Sequence, residues 1–112
     1  MVEVNGLKFE TSIGVLFALK EARGHKTLQE TCAAAANSNI DNVLDVLHKC
    51  YEKGQGSSCS LEDFLSATEK AGLGLVKLTS VFSDVLEKMM YSGLSETEVE
   101  DAKKLAMERL KR

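Results

Sequence analysis

The sequence predicts an α+β fold, mostly α: an N-terminal two-stranded β-hairpin packed on a bundle of about five helices, in a single domain over residues 1–112. Three observations predict it. Asn5-Gly6 lies between Val2-Glu3-Val4 and Leu7-Lys8-Phe9, and Asn-Gly most readily takes the two positive φ angles of a type I′ turn. After Ser12 the apolar residues recur at helical spacing. The breaks between those stretches carry Gly, Ser, Thr and Asn, the residues that start and stop helices.

The two-residue turn sets the hairpin register. Val4 faces Leu7, Glu3 faces Lys8 and Val2 faces Phe9, so Val2, Val4, Leu7 and Phe9 share one face while Glu3 and Lys8 form an opposite-charge pair on the other. An isolated hairpin is marginal in water, so this one must lie on the helices or extend a sheet with another copy of the chain.

Ser12 is the N-cap of a first helix over residues 13–23, ended by Gly24. Ile13, Val15, Leu16, Phe17, Ala18 and Leu19 cover nearly its whole circumference, the pattern of a central, buried helix, and the hairpin is expected to pack on it. Thr27-Leu28-Gln29-Glu30 forms a capping box, with Glu30 reaching back to the Thr27 amide. The short helix it opens carries Ala33-Ala34-Ala35-Ala36, which suits either a close helix crossing or simply high helix propensity.

Asn37-Ser38-Asn39 breaks that helix, and a third spans residues 40–53. Ile40, Val43, Leu44, Leu47, Cys50 and Tyr51 form its apolar stripe, leaving His48 on the solvated face. Gly54 is expected to be its C-cap, and the following Gly-Ser-Ser-Cys segment reads as a linker loop without the Lys-Ser/Thr of a phosphate-binding loop. Ser60 caps a fourth helix over 61–70, with Leu61, Phe64 and Leu65 inward. After Gly72 and Gly74 a long helix covers 75–92, its stripe formed by Leu75, Leu78, Phe82, Val85 and Met89 and widened by Val81, Leu86 and Met90. Ser95 caps a last helix to about residue 110, acidic at its start and basic at its end, as the helix dipole favours.

A chain of 112 residues with 44% apolar content buries roughly two thirds of its unfolded surface as one domain. Seventeen acidic against fourteen basic side chains, net charge −3, disfavour a surface that tracks phosphates, so no nucleic-acid partner is expected. No apolar run approaches the roughly 18–20 residues that span a bilayer, and no basic-then-apolar leader opens the chain, which points to a cytoplasmic protein without a membrane partner. Cys32, Cys50 and Cys59 are an odd set without a C-x-x-C pair and read as free thiols. His25 and His48 lie at no metal-binding spacing to them, so neither metal nor cofactor is expected.

Catalytic patterns are missing as well. Serines beside acidic residues are accounted for as helix caps, and carboxylate pairs such as Glu62-Asp63 fall at helix starts. The loop before Leu61 lacks the alternating oxygen ligands of a calcium site. A helix-turn-helix drawn from the second and third helices would place Asp41 and Asp45 against phosphates. The expectation is a non-enzyme. Two surfaces are candidates for binding: a partner face at Val81, Met89 and Met90 with Tyr91 at its margin, where the fifth helix carries more apolar residues than a core stripe needs, and a self-association surface at Val2, Val4, Ala33 and Ala36.

The opening VEVNGLKFET, its continuation SIGVLFALKEARG, and KTLQET resemble the tail assembly chaperones of long-tailed bacteriophages and prophages. Further along, the segment from Leu61 to Leu65, the Ser92-Gly93-Leu94 end of the long helix and a charged C-terminal helix resemble the same family in layout. The resemblance covers nearly the whole chain and its motifs are structural; the Gly-Ser-Ser-Cys loop and the alanine run match no family pattern. It implies a protein that binds the tape-measure protein, keeps it soluble while tail-tube subunits polymerise around it, and is absent from the finished virion. It also implies the host cytoplasm as location, the tail-tube protein as a second candidate partner, and copies assembling into oligomers, rings or spirals. Two other classes are weighed against it: a small helical DNA-binding or transcriptional regulator, which the acidic balance disfavours, and a helical adaptor of unrelated origin.

Overall fold

The computed structural model describes residues 1–90 and Lys104. Strands β1 (Val2–Val4) and β2 (Leu7–Phe9) form an antiparallel pair in the expected register, Val2 opposite Phe9, Glu3 opposite Lys8 and Val4 opposite Leu7. Asn5 and Gly6 take φ angles of 49° and 84°, the two positive values a type I′ turn needs. Five helices follow among the described residues: α1 (Ile13–Arg23), α2 (Leu28–Ala35), α3 (Ile40–Gln55), α4 (Leu61–Lys70) and α5 (Leu75–Met90). The expected continuation of α5 to Ser92 and the last helix from Ser95 lie outside the described residues.

The local signals act much as the residues suggest, with two differences in detail. Thr27 Oγ1 accepts from the Glu30 amide at 3.1 Å, but the Glu30 carboxylate takes the Lys26 amide (3.3 Å), one residue before the expected partner. Ser12 occupies the N-cap of α1 with no side-chain hydrogen bond to the helix. Asn39 accepts from the Asp41 amide (2.9 Å) to start α3, and Ser60 from the Asp63 amide (3.1 Å) to start α4.

The centre of the molecule is α3, and this corrects the sequence reading. α3 packs against β2, α1, α2, α4 and α5, with Val43, Val46, Leu47 and Cys50 buried. Helix α1 was expected to be buried all round and to carry the hairpin. Instead only Val15, Leu16 and Leu19 are buried in it, while Ile13 and Phe17 reach solvent.

The hairpin docks on α3 because backbone meets backbone there. The Glu10 amide donates to the Cys50 carbonyl at 2.9 Å. Gly54, expected as a C-cap, lies inside α3, where a Cβ would stand 2.8 Å from the Lys8 carbonyl carbon. Only glycine permits that approach; the C-cap is Gly56, at φ 74°, whose amide bonds to the Glu52 carbonyl at 3.0 Å. Phe9, fully buried, then meets Tyr51 of α3 and, edge-on, Phe64 of α4, with ring centroids 6.2 and 6.3 Å away. The turn is tethered too: Asn5 Nδ2 donates to the Ala71 carbonyl at 2.8 Å, linking the hairpin to the end of α4.

On the other side α5 packs on α3, β1 and α1, contributing Leu78, Val81, Phe82, Val85 and Met89 to the core. Leu73, between Gly72 and Gly74, is buried as well, so the break between α4 and α5 also feeds the core. Ile40, Leu61 and Leu75, each expected on an apolar stripe, are exposed, because each is the first residue of its helix and projects beyond the element that covers the next turn.

Candidate functional site

Among the described residues, apolar side chains left at solvent fall into two groups. Ile13, Ile40, Leu61 and Leu75 open their helices, Val76 follows Leu75, and Met1 is terminal; such positions are commonly uncovered. Phe17 differs. It sits a full turn inside α1, 48% exposed, one turn after the 53% exposed Ile13 on the same side of the helix. Gly14 and Glu21 are exposed beside it, so α1 has an inner face of Val15, Leu16 and Leu19 and an outer face centred on an aromatic ring. The sequence reading missed this. The available signal was the polar and small pair, Gly14 and Glu21, sharing the helix side of Phe17.

Next to that outer face, Ala18 forms one wall of an open cleft of about 400 Å³. Its other walls are Lys49, Glu52 and Lys53 from the last turns of α3 and the Gly56-Ser57-Ser58 loop. The loop is held from beneath by two side chains. His48 Nε2 lies 2.8 Å from the Cys59 carbonyl; since a carbonyl only accepts, this nitrogen carries the proton and donates. The Cys59 amide donates to Glu52 Oε2 at 3.2 Å, while Glu52 Oε1 stands 3.4 Å from His48 Nε2 and 3.6 Å from Lys49 Nζ. The His48 ring stacks on Phe64 at 5.7 Å and 29°. His48 is therefore half-buried and structural, not the solvated residue its place on the polar side of α3 suggested; the ring and carbonyl that engage it come from α4 and the loop, far from its helical neighbours.

Several other reactive groups are engaged or quenched as well. All three cysteines are free thiols, as expected. Burial, with the Glu10 carboxylate nearby, pushes the Cys50 thiol up to about 12. Cys59 is also raised, first by desolvation and then by the Glu52 and Asp63 carboxylates. Neither has the depressed pKa of a nucleophilic cysteine. Arg23 donates to Asp45 Oδ2 and Asn42 Oδ1, both at 2.7 Å, clamping α1 to α3, and His25 Nδ1 meets the buried Thr31 hydroxyl at 2.9 Å. Among the described residues no group of three or more His, Cys, Asp or Glu side chains is placed to hold a metal ion, and no helix is long and apolar enough to cross a membrane.

The residues expected to bind partners are scattered. Val81 and Met89 are each only 3% exposed, so they belong to the core and are not the surplus surface the sequence reading made of them; α5 presses them toward α3, α1 and β1. Met90 is half-buried, and Tyr91 lies outside the described residues. Val2 and Val4 are half-buried against the core through the hairpin's apolar face. Ala33 and Ala36 are exposed on α2, while Ala35 between them is buried. Comparison with models of known protein families, with curated proteins and with solved structures finds no match to this chain.

Proposed function

We propose that this protein is a non-enzymatic tail assembly chaperone of a long-tailed bacteriophage or prophage, working in the cytoplasm of the bacterial host. It binds the tape-measure protein, keeps its long helical segments soluble while the tail tube assembles, and is left out of the finished particle. One observation carries the reading beyond the sequence resemblance: Phe17 stands half exposed in the middle of α1, on a body whose His48 and Cys50 side chains are committed to structure. An aromatic side chain at solvent on a rigid helix suits capture of another chain's apolar surface. The hairpin offers a second contact, since the peptide groups of Glu3 on β1 point away from β2 in this register and suit edge pairing between copies.

The test is co-expression with a helical fragment of the tape-measure protein encoded in the same genome. The expected result is a soluble complex that co-purifies. A fragment equally insoluble with and without the protein would overturn the proposal.

A further inference from the structure

We infer that Asn5-Gly6 is a self-modification site: when the hairpin tip lifts from the end of α4, the turn loses the Asn5 side-chain amide as ammonia, and the acid left behind keeps the tip from docking again. The inference is independent of the chaperone reading. The chain has four asparagines, and Asn5 alone precedes a glycine; the others are followed by Ser38, Ile40 and Val43. Glycine leaves the next backbone nitrogen uncrowded, and both Asn5 and Gly6 are exposed to water. The folded turn holds the reaction back in two ways. In a type I′ turn the first central residue has ψ of about +30°, which puts the Gly6 nitrogen on the far side of the Asn5 Cα–C bond from Cβ, whereas ring closure needs the two on the same side. Asn5 Nδ2, the leaving group, is also held by the carbonyl of Ala71, the C-cap of α4, at 2.8 Å. Conversion therefore waits for the tip to open.

The step is a hydrolysis and needs only water. The Gly6 nitrogen gives up its proton to hydroxide and attacks Asn5 Cγ. The new N–Cγ bond closes a cyclic imide, the Cγ–Nδ2 bond breaks, and Nδ2 departs as ammonia with a proton drawn from water. A further water opens the imide. Attack at Cγ leaves an aspartate side chain; attack at the main-chain carbonyl leaves an isoaspartate, whose backbone runs through Cβ and Cγ. Neither product fits the docked turn. An ionised carboxylate only accepts, so it meets the Ala71 carbonyl as acceptor against acceptor where Nδ2 had donated. The isoaspartate also lengthens a two-residue turn whose geometry sets Val4 opposite Leu7. The base of the hairpin keeps its own anchors, the Glu10 amide on the Cys50 carbonyl and Lys8 against Gly54, so the change acts on the tip.

The test follows the full chain in mildly alkaline buffer with and without urea, mapping each asparagine by peptide mass spectrometry and detecting isoaspartate with an isoaspartyl methyltransferase. In urea, Asn5 is expected to convert faster than Asn37, Asn39 and Asn42. In the folded protein it still converts, but at least about tenfold more slowly, at the rate set by opening of the tip. Gly54→Ala, which crowds the Lys8 carbonyl and leaves the turn untouched, is expected to speed conversion in the folded protein several-fold without changing the rate in urea. Phe9→Leu loosens the same seam without that backbone clash and is expected to give the same acceleration. Asn5→Asp is expected to fold with the wild-type circular dichroism and to melt a few degrees lower. Equal rates with and without urea, no conversion in the folded protein, or a folded-state rate unaffected by both seam variants would overturn the inference. An Asn5→Asp variant that melts with the wild type would overturn it too, since the tip would then dock without the amide.

Discussion

Helices α1 and α3 are both rich in apolar residues, yet they end up with opposite fates. α3 separates its residue types cleanly: Val43, Val46, Leu47 and Cys50 face inward at helical spacing, and its flanks are taken by β2, α1, α2, α4 and α5. α1 has apolar residues on more of its circumference, but only the side bearing Val15, Leu16 and Leu19 finds neighbours. The difference teaches that burial follows the geometry of approach more than apolar content. α3 carries Gly54 where a strand must come close, and the hairpin packs there.

That contrast can be broken most forcefully at the hairpin–α3 seam. Phe9→Asp places a charge where a fully buried ring meets Tyr51 and Phe64, and the variant is expected to show no cooperative thermal transition. A melting temperature within a degree or two of wild type would mean that the hairpin contributes little to the fold. Gly54→Ala tests the same seam through its backbone. At an ordinary interior helix position this change stabilises by about 1 kcal/mol. Here the new methyl meets the Lys8 carbonyl, and urea unfolding is expected to show a loss of about 1–3 kcal/mol instead. The sign alone decides the matter.

Cys50 sharpens the comparison through pH. Its folded-state value lies near 12 against an ordinary 9.0, raised chiefly by burial in α3. Below pH 9.0 the thiol is protonated in both states, and its contribution to stability is constant. Between 9.0 and about 12 the unfolded chain binds fewer protons than the folded one, so stability falls as pH rises. Unfolding in urea at pH 8 and pH 10 should therefore show a decline that is shallower in Cys50→Ala; parallel declines would place Cys50 in contact with water. The smallest effect is expected on α1. Phe17→Ser removes a large ring from a helix interior, yet should change stability by no more than about 0.5 kcal/mol, since the ring supports little of the core. A loss of several kcal/mol would show that α1 has no free face.

Much of the fold was legible because its signals are local. Asn5-Gly6 dictates the hairpin register, and Thr27, Asn39 and Ser60, with Gly24, mark helix ends that periodicity alone would blur. What could not be read was which elements meet. A glycine near a helix end serves equally as a cap or as a gap for another backbone, so Gly54 and Gly56 exchange roles between expectation and structure. His48 follows the polar spacing of α3, but residues 59 and 64 decide its environment. The site was less legible still. Met89 and Val81 look like surplus on the helix wheel and are core in space, whereas Phe17 looks like core and is surface.

The hydrogen bond from Asn5 to Ala71 bears on the order in which the chain can mature during synthesis. The hairpin is made before the helices that hold it: its docking site is completed by Cys50, Gly54 and Phe64, and its turn is anchored only by residue 71. At about 5–20 residues per second, the 55 residues from Phe9 to Phe64 take roughly 3–11 s to translate. Until α3 is made Phe9 and the valines of β1 lack their main partner, and until Phe64 follows Phe9 lacks its edge-on ring. The hairpin therefore waits for elements made well after it, and the nascent chain passes through a stage in which its strands need protection from neighbours.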